Sequence, residues 1–185
     1  DVLKLPGAVL GYLGTFAYMI GFYQTYTFIG DHVRLLHGVG AWLGGSISLA
    51  YGLGFGAGVV FDRWIDAQGA ARVLPLGLTL VGLNYVALPF ASLNVVVIAV
   101  YPFIWGLANH FGMTALVSFM GSLSAGMRGT VMGLFSFTTY VALAMAGAVY
   151  GPVYDAHGFF AVSGASALTL FGAAAILWLR RSRAA

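Results

Sequence analysis

The chain has no cysteine and no glutamate, and only 7% of its 185 residues are charged. Without cysteine there is no disulfide framework, no thiolate zinc or iron–sulfur site and no thiol nucleophile. Without charge there is no soluble globular domain, which carries about 25% Asp, Glu, Lys and Arg. Eight basic residues against five aspartates leave +3, too little and too scattered for a nucleic-acid surface. What remains is apolar: 61% hydrophobic residues, a mean hydropathy of +0.93 and 27 glycines, roughly twice the usual ~7%. Glycine without a collagen period, in an apolar chain, marks helices that approach closely in lipid. The composition specifies an all-α integral membrane protein.

About 20 apolar residues span a bilayer, and the charged residues divide the chain into six stretches of that order. They cover residues 7–30, 36–61, 73–91, 94–123, 128–151 and 159–179, one transmembrane domain over 1–185. The first stops at Asp31-His32-Val33-Arg34 and the second at Asp62-Arg63. No charge occurs between Val73 and Met127, so that stretch holds two helices with a turn at 89–94. Pro152 ends the fifth helix, because proline cannot continue one. Barrel strands are about 10 residues long and alternate in polarity; these runs do neither. The first run lacks the basic leader and cleavage site of a signal peptide, and a chain starting at Asp1 suggests that a segment upstream has been removed.

Basic residues favour the cytoplasmic side of a membrane. Lys4, Arg63, Arg72, Arg128, Arg180, Arg181 and Arg183 fall on one side and only Arg34 on the other. Both termini are therefore expected in the cytoplasm, with the chain in the cell (inner) membrane. The outer loops are too short for a domain, so function lies within the bundle.

The second stretch ends Gly58-Val59-Val60-Phe61-Asp62-Arg63, with Gly69 and Arg72 following. This resembles the cytoplasmic-loop motif Gly-x-x-x-Asp-Arg-x-Gly-Arg/Lys-Arg/Lys of the major facilitator superfamily (MFS) of transporters. The late glycine and single arginine resemble the decayed copy found in the second half of that family. Helix-end anchors in an ordinary loop would produce the same six residues. The order of features extends the resemblance along the whole chain: an aromatic first helix, a glycine-rich second, Arg128-Gly129 opening the fifth, and Gly151-Pro152 followed by Asp155-x-x-Gly158 before the sixth. The nearest look is to bacterial drug and sugar efflux permeases. The resemblance implies the C-terminal six-helix half of an MFS fold, moving a small solute by alternating access, with Gly58, Asp62, Arg63 and Arg72 as a cytoplasmic gate motif. It implies no cofactor, and as partners a missing N-terminal half or a second copy, the lipid bilayer and a small-molecule substrate, but no nucleic acid. The alternative is a stand-alone six-helix protein, acting as a homodimeric half-transporter or as a structural subunit of a membrane complex.

Gly44, Ser48, Gly52 and Gly56 place a small residue every fourth position on the second helix, and Gly147 and Gly151 repeat the spacing on the fifth. Such stripes let backbones approach closely. They serve either as the seam to the other half or as packing within the bundle. His110 is the only histidine at depth, and imidazole is the side chain that changes charge near neutral pH. It either contacts substrate or proton in a central cavity or bonds a neighbouring helix as a neutral ring. No carboxylate is expected in any helix core. His32, His37 and His157 lie near outer helix ends without metal-ligand spacing, so no metal site is expected. Tyr18, Tyr23 and Gln24 are too deep for interface anchors; with Tyr101, Trp105, Asn109 and His110 they are the candidates for an aromatic, sparsely polar cavity suited to an amphipathic solute. Core packing accounts for any one of them equally well. An intramembrane serine protease needs a serine beside a histidine, but Ser122 and Ser124 would lie a bilayer, about 30 Å, from His157. No enzymatic activity is expected.

Overall fold

The computed structural model describes the backbone of residues 1–182 and the side chains of residues 1–179. Of the basic residues after the last stretch, Arg183 lies outside the described residues, and Arg180 and Arg181 are described in backbone alone. The described residues are helical with no strand.

Helix α1 (Ala8–His37) opens after Gly7 and closes at Gly38. Both glycines take the left-handed backbone, φ 85° and 61°, and the Gly38 N–H donates to the Arg34 carbonyl, a glycine C-cap. The charged residues expected to end this helix lie inside it. Arg34 pairs with Asp31 one turn back at 2.6 Å, so the last turn carries its charge as an internal pair. That bond holds the Asp31 carboxyl below the usual carboxylate range.

Helix α2 (Trp42–Ala57) passes through a 3-10 turn, Gly58–Phe61, into α3 (Asp62–Gln68). At Gly69 (φ 83°) the rod ends and α4 (Ala70–Ala91) begins. Pro89 lies inside α4, not in the turn expected there; the turn is residues 92–94. Asn94 closes it by accepting from the N–H groups of Val96 and Val97 at 2.9 and 3.2 Å, capping α5 (Val95–Val100). Helix α6 (Pro102–Ser122) follows with Pro102 in its first turn, where a missing N–H leaves nothing unsatisfied. Helix α7 (Arg128–Ser182) is interrupted only at Gly158 (φ 73°, ψ −173°), which divides it into arms 128–157 and 159–182. The expected end at Pro152 does not occur. Proline is tolerated within a lipid-embedded helix whose surroundings satisfy the freed carbonyl, and the chain turns where a glycine supplies the positive φ.

Four stretches among the described residues are long and apolar enough to cross a membrane: Trp42–Gln68, Ala70–Ala91, Val95–Ser122 and Arg128–Leu179. The last, at 52 residues, holds about 78 Å of helix at ~1.5 Å per residue, more than twice a bilayer, divided at Gly158. Helix α1 falls outside this set because tyrosine, threonine, glycine and its charged last turns dilute its hydropathy. It is nonetheless 30 residues long.

Helix α1 packs between the two arms of α7. The Tyr12 hydroxyl donates to the Val131 carbonyl at 3.1 Å, Phe28 stacks on Tyr154 at 4.6 Å, and His32 stacks on Phe159 at 4.7 Å. Helix α4 joins the second arm, where Ser163 donates to the Tyr85 carbonyl at 2.6 Å. Helix α6 crosses α4 at Gly77 and Gly112 and packs along α2. The α2–α3 rod buries Leu43, Ile47, Gly54, Gly58 and Ile65, a stripe at helical spacing.

Candidate solute cavity and the Asp62–His110 contact

A concavity of about 320 Å3 lies between α1, α2, α6 and the first arm of α7. Each helix presents residues one turn apart, which share a helix face. Helix α1 contributes Tyr18 and Phe22 with Tyr23 beside them; α2 contributes Tyr51 and Phe55; α6 contributes Asn109 and Met113. The α7 arm adds two such pairs, Phe135 with Thr139 and Ser136 with Tyr140. No lining residue is charged.

The polar point at the back of the wall is fixed. The Tyr18 hydroxyl lies 2.8 Å from Asn109 Oδ1 and 2.9 Å from the Asn109 carbonyl. The Asn109 amide nitrogen donates to the Trp105 carbonyl at 3.0 Å. Both side chains are buried, so their orientation is set before any solute enters. Trp105 is wholly buried behind this wall, its ring among those of Phe22, Tyr26, Tyr51 and Tyr85.

Of the cavity candidates read from sequence, Tyr18, Tyr23 and Asn109 line the concavity and four do not. Gln24 is buried toward the second arm of α7, where its amide donates to Ser166. Tyr101 donates to Asn84 Oδ1 at 3.0 Å, and Trp105 supports the wall without lining it. His110 faces α2, with Nε2 at 2.8 Å from Asp62 Oδ1. The residues missed, Tyr51, Phe55, Ser136, Thr139 and Tyr140, carry a signal of aromatic and hydroxyl pairs four apart; on those glycine-rich helices the glycines drew the reading instead.

The helix expected to stop at Asp62-Arg63 instead runs on through Asp62 to Gln68, as part of the continuous stretch Trp42–Gln68. The Asp62 side chain is 37% exposed and that of His110 is 13% exposed. Gly58 makes the contact possible: a Cβ there would fall 2.8 Å from His110 Cδ2, closer still to the ring's root. Arg63 and Arg72 are exposed, and neither forms an ion pair among the described residues.

The glycines divide by face. A Cβ on Gly44, Gly52, Gly56, Gly147 or Gly151 would meet nothing within 4 Å, and Ser48 is exposed, accepting from the Tyr26 hydroxyl at 3.2 Å. Within the bundle, close approach is made by Gly54 on α2, Gly58 in the 3-10 turn and Gly106 on α6.

No protein-family model matches the chain. Over 162 residues it is 32% identical to an uncharacterized MFS-type transporter, YwfA, of Bacillus subtilis (strain 168). The match takes in 88% of this chain and 39% of the relative, so the chain spans about two fifths of the length of the protein it resembles. With four long apolar helices and no strand among the described residues, and similarity over most of its length to part of an MFS-type transporter, the chain has the features of a multi-pass membrane protein.

Proposed function

We propose that this chain is the C-terminal six-helix half of an MFS secondary transporter, an efflux permease of the cell (inner) membrane with both termini cytoplasmic. The six spans are then α1 as far as residue 30, the α2–α3 rod, α4, the α5–α6 rod and the two arms of α7. The observation that carries this reading is the concavity, an uncharged aromatic and hydroxyl wall built by four helices. Pockets for amphipathic molecules combine such walls with a few oriented polar groups, here Tyr18 and Asn109. In transporters built from paired repeats the solute sits near the midplane between the two halves, so this wall is one side of the site. The uncovered stripe Gly44, Ser48, Gly52, Gly56 and the pair Gly147, Gly151 supply a surface on which a second half, or a second copy, can approach closely. The pattern of Gly58, Asp62, Arg63 and Arg72 is read as the cytoplasmic gate.

The test is transport by the intact protein in proteoliposomes, offered a panel of uncharged and monocationic aromatic solutes. Movement of at least one member, slowed by Tyr51→Ala and by Thr139→Ala, supports the reading. A panel that moves no faster than in empty liposomes overturns it. The mass of the intact polypeptide separates a two-half protein, near twice 19.4 kDa, from a stand-alone six-helix protein of about this mass.

A further inference from the structure

Asp62 and His110 meet where the α2–α3 rod changes its winding. Gly58–Phe61 is a 3-10 turn between two α-helical segments, and such a turn inside a long helix often marks a hinge. Beyond it, α3 is held by the buried Ile65, by the Phe61 and Trp64 rings 5.9 and 5.8 Å from Phe111, and by the Asp62–His110 contact. The imidazole lies between Gly58 and the edge of Phe55. Its Nδ1 is buried with no hydrogen-bond partner.

That unpartnered nitrogen fixes the proton arrangement. A neutral imidazole carries one N–H and one lone pair. With Nε2–H donating to the carboxylate, the atom left without a partner is the lone pair on Nδ1. Protonated, Nδ1 becomes a charged donor, and burying that without an acceptor is far less favourable.

We propose that the Asp62–His110 pair is a proton-binding site that controls the position of α3. Nδ1 takes one proton from water, and the pair passes from a net charge of −1 to zero. The new N–H finds no acceptor in the closed seam, so the ring turns toward water. Asp62 stays paired with it, and α3 follows about the Gly58–Phe61 turn. Among the described residues no other charged group competes. On the α2–α3 rod Arg63 and Asp66 are exposed, α6 carries no other charged side chain, and Arg72 in the first turn of α4 is exposed. Among the described residues Asp62 is the one carboxylate in ion-pair range of His110. Two of the other histidines, His32 and His37, bond to Ser92, and His157 adjoins Gly158, both sites remote from this seam. The inference rests on the transporter reading only for what the motion serves.

The experiment uses the intact protein in lipid nanodiscs, with spin labels on Asp66→Cys in α3 and Ser122→Cys at the end of α6; this chain has no cysteine of its own. The inter-label distance is measured from pH 8 to pH 5. A longer-distance population should grow on acidification and be lost in His110→Gln. Asp62→Asn, which keeps the imidazole but removes the carboxylate that ties it to α3, should weaken the coupling, so that the change of distance with pH shrinks. A distance that ignores pH in the unsubstituted pair overturns the proposal whether or not the variants fold. So does a response retained in full by Asp62→Asn or by His110→Gln. If the distance ignores pH while the aromatic panel is transported, the proton site fails and the transporter reading stands.

Discussion

Replacing Gly54 by alanine should destabilise this bundle strongly, whereas the same change two residues earlier, at Gly52, should not. A Cβ on Gly54 would stand 2.7 Å from the Phe103 carbonyl carbon and 2.8 Å from its Cα. Ordinary contact begins near 3.4 Å, so the rods must part by at least 0.7 Å at this crossing. The obstructing atoms are backbone, and no side chain can swing aside. The same crossing is tight from the other direction, since a Cβ on Gly106 would lie 2.6 Å from the Phe55 nitrogen. A gap of 0.5–1 Å forfeits about a quarter to a half of each van der Waals contact across it, and overpacking of this kind costs about 1–3 kcal/mol. Alanine returns about 1 kcal/mol through its higher helix propensity. The net cost at Gly54 is about 2 kcal/mol from the upper end of that range, roughly a thirtyfold shift in the ratio of folded to unfolded protein. Gly52→Ala meets nothing within 4 Å and keeps the propensity gain. The assay is reversible unfolding of the intact protein in mixed micelles, comparing the midpoints of the two variants. Equal midpoints would refute the close α2–α6 crossing and, with it, the seating of His110 against Gly58.

Three further outcomes follow from the same geometry. Tyr18→Phe removes the hydroxyl from the buried amide of Asn109 and should cost about 1–3 kcal/mol in the same unfolding assay, with weaker binding of any solute that the wall holds. His32 sits in the last turns of α1, past the apolar part that ends at Ile29, and burial pushes its imidazole below the usual histidine range. The unfolded chain therefore binds the proton first, so this stability is present above about pH 6.5 and declines as the pH falls from there toward the folded value. His32→Gln should flatten the pH dependence of the melting temperature between pH 7.5 and 5.5, and an unchanged slope refutes the assignment. Reporter fusions after Gln68 and after Ser124 should both read as cytoplasmic and one after Ser92 as external; any other pattern breaks the six-span orientation.

What sequence by itself determines here is one-dimensional. Hydropathy and the near absence of charge specify an all-α membrane chain because a bilayer requires every backbone group to be satisfied within its own helix, and that requirement is local. The exclusion of cysteine chemistry is equally local. The opening of a helix at Arg128 was legible; charges and prolines misled at Asp31, Asp62, Pro89 and Pro152, where an ion pair within the turn or a tolerant lipid-embedded helix lets the rod continue. The site was half legible. Tyr18, Tyr23 and Asn109 could be read from depth and chemistry, but their placement on the wall, and the absence of Gln24, Trp105 and His110 from it, depends on how each helix is rotated about its axis. Two residues on a helix differ by about 200° in direction, so Gly52 and Gly54 face opposite ways while looking alike in the sequence. Which of them meets α6 is settled by the mutual fit of α2, α4 and α6. The contact of Asp62 with His110, 48 residues apart, exists for the same reason: close glycine packing brings two rods near enough for a carboxylate and an imidazole to meet at hydrogen-bond distance.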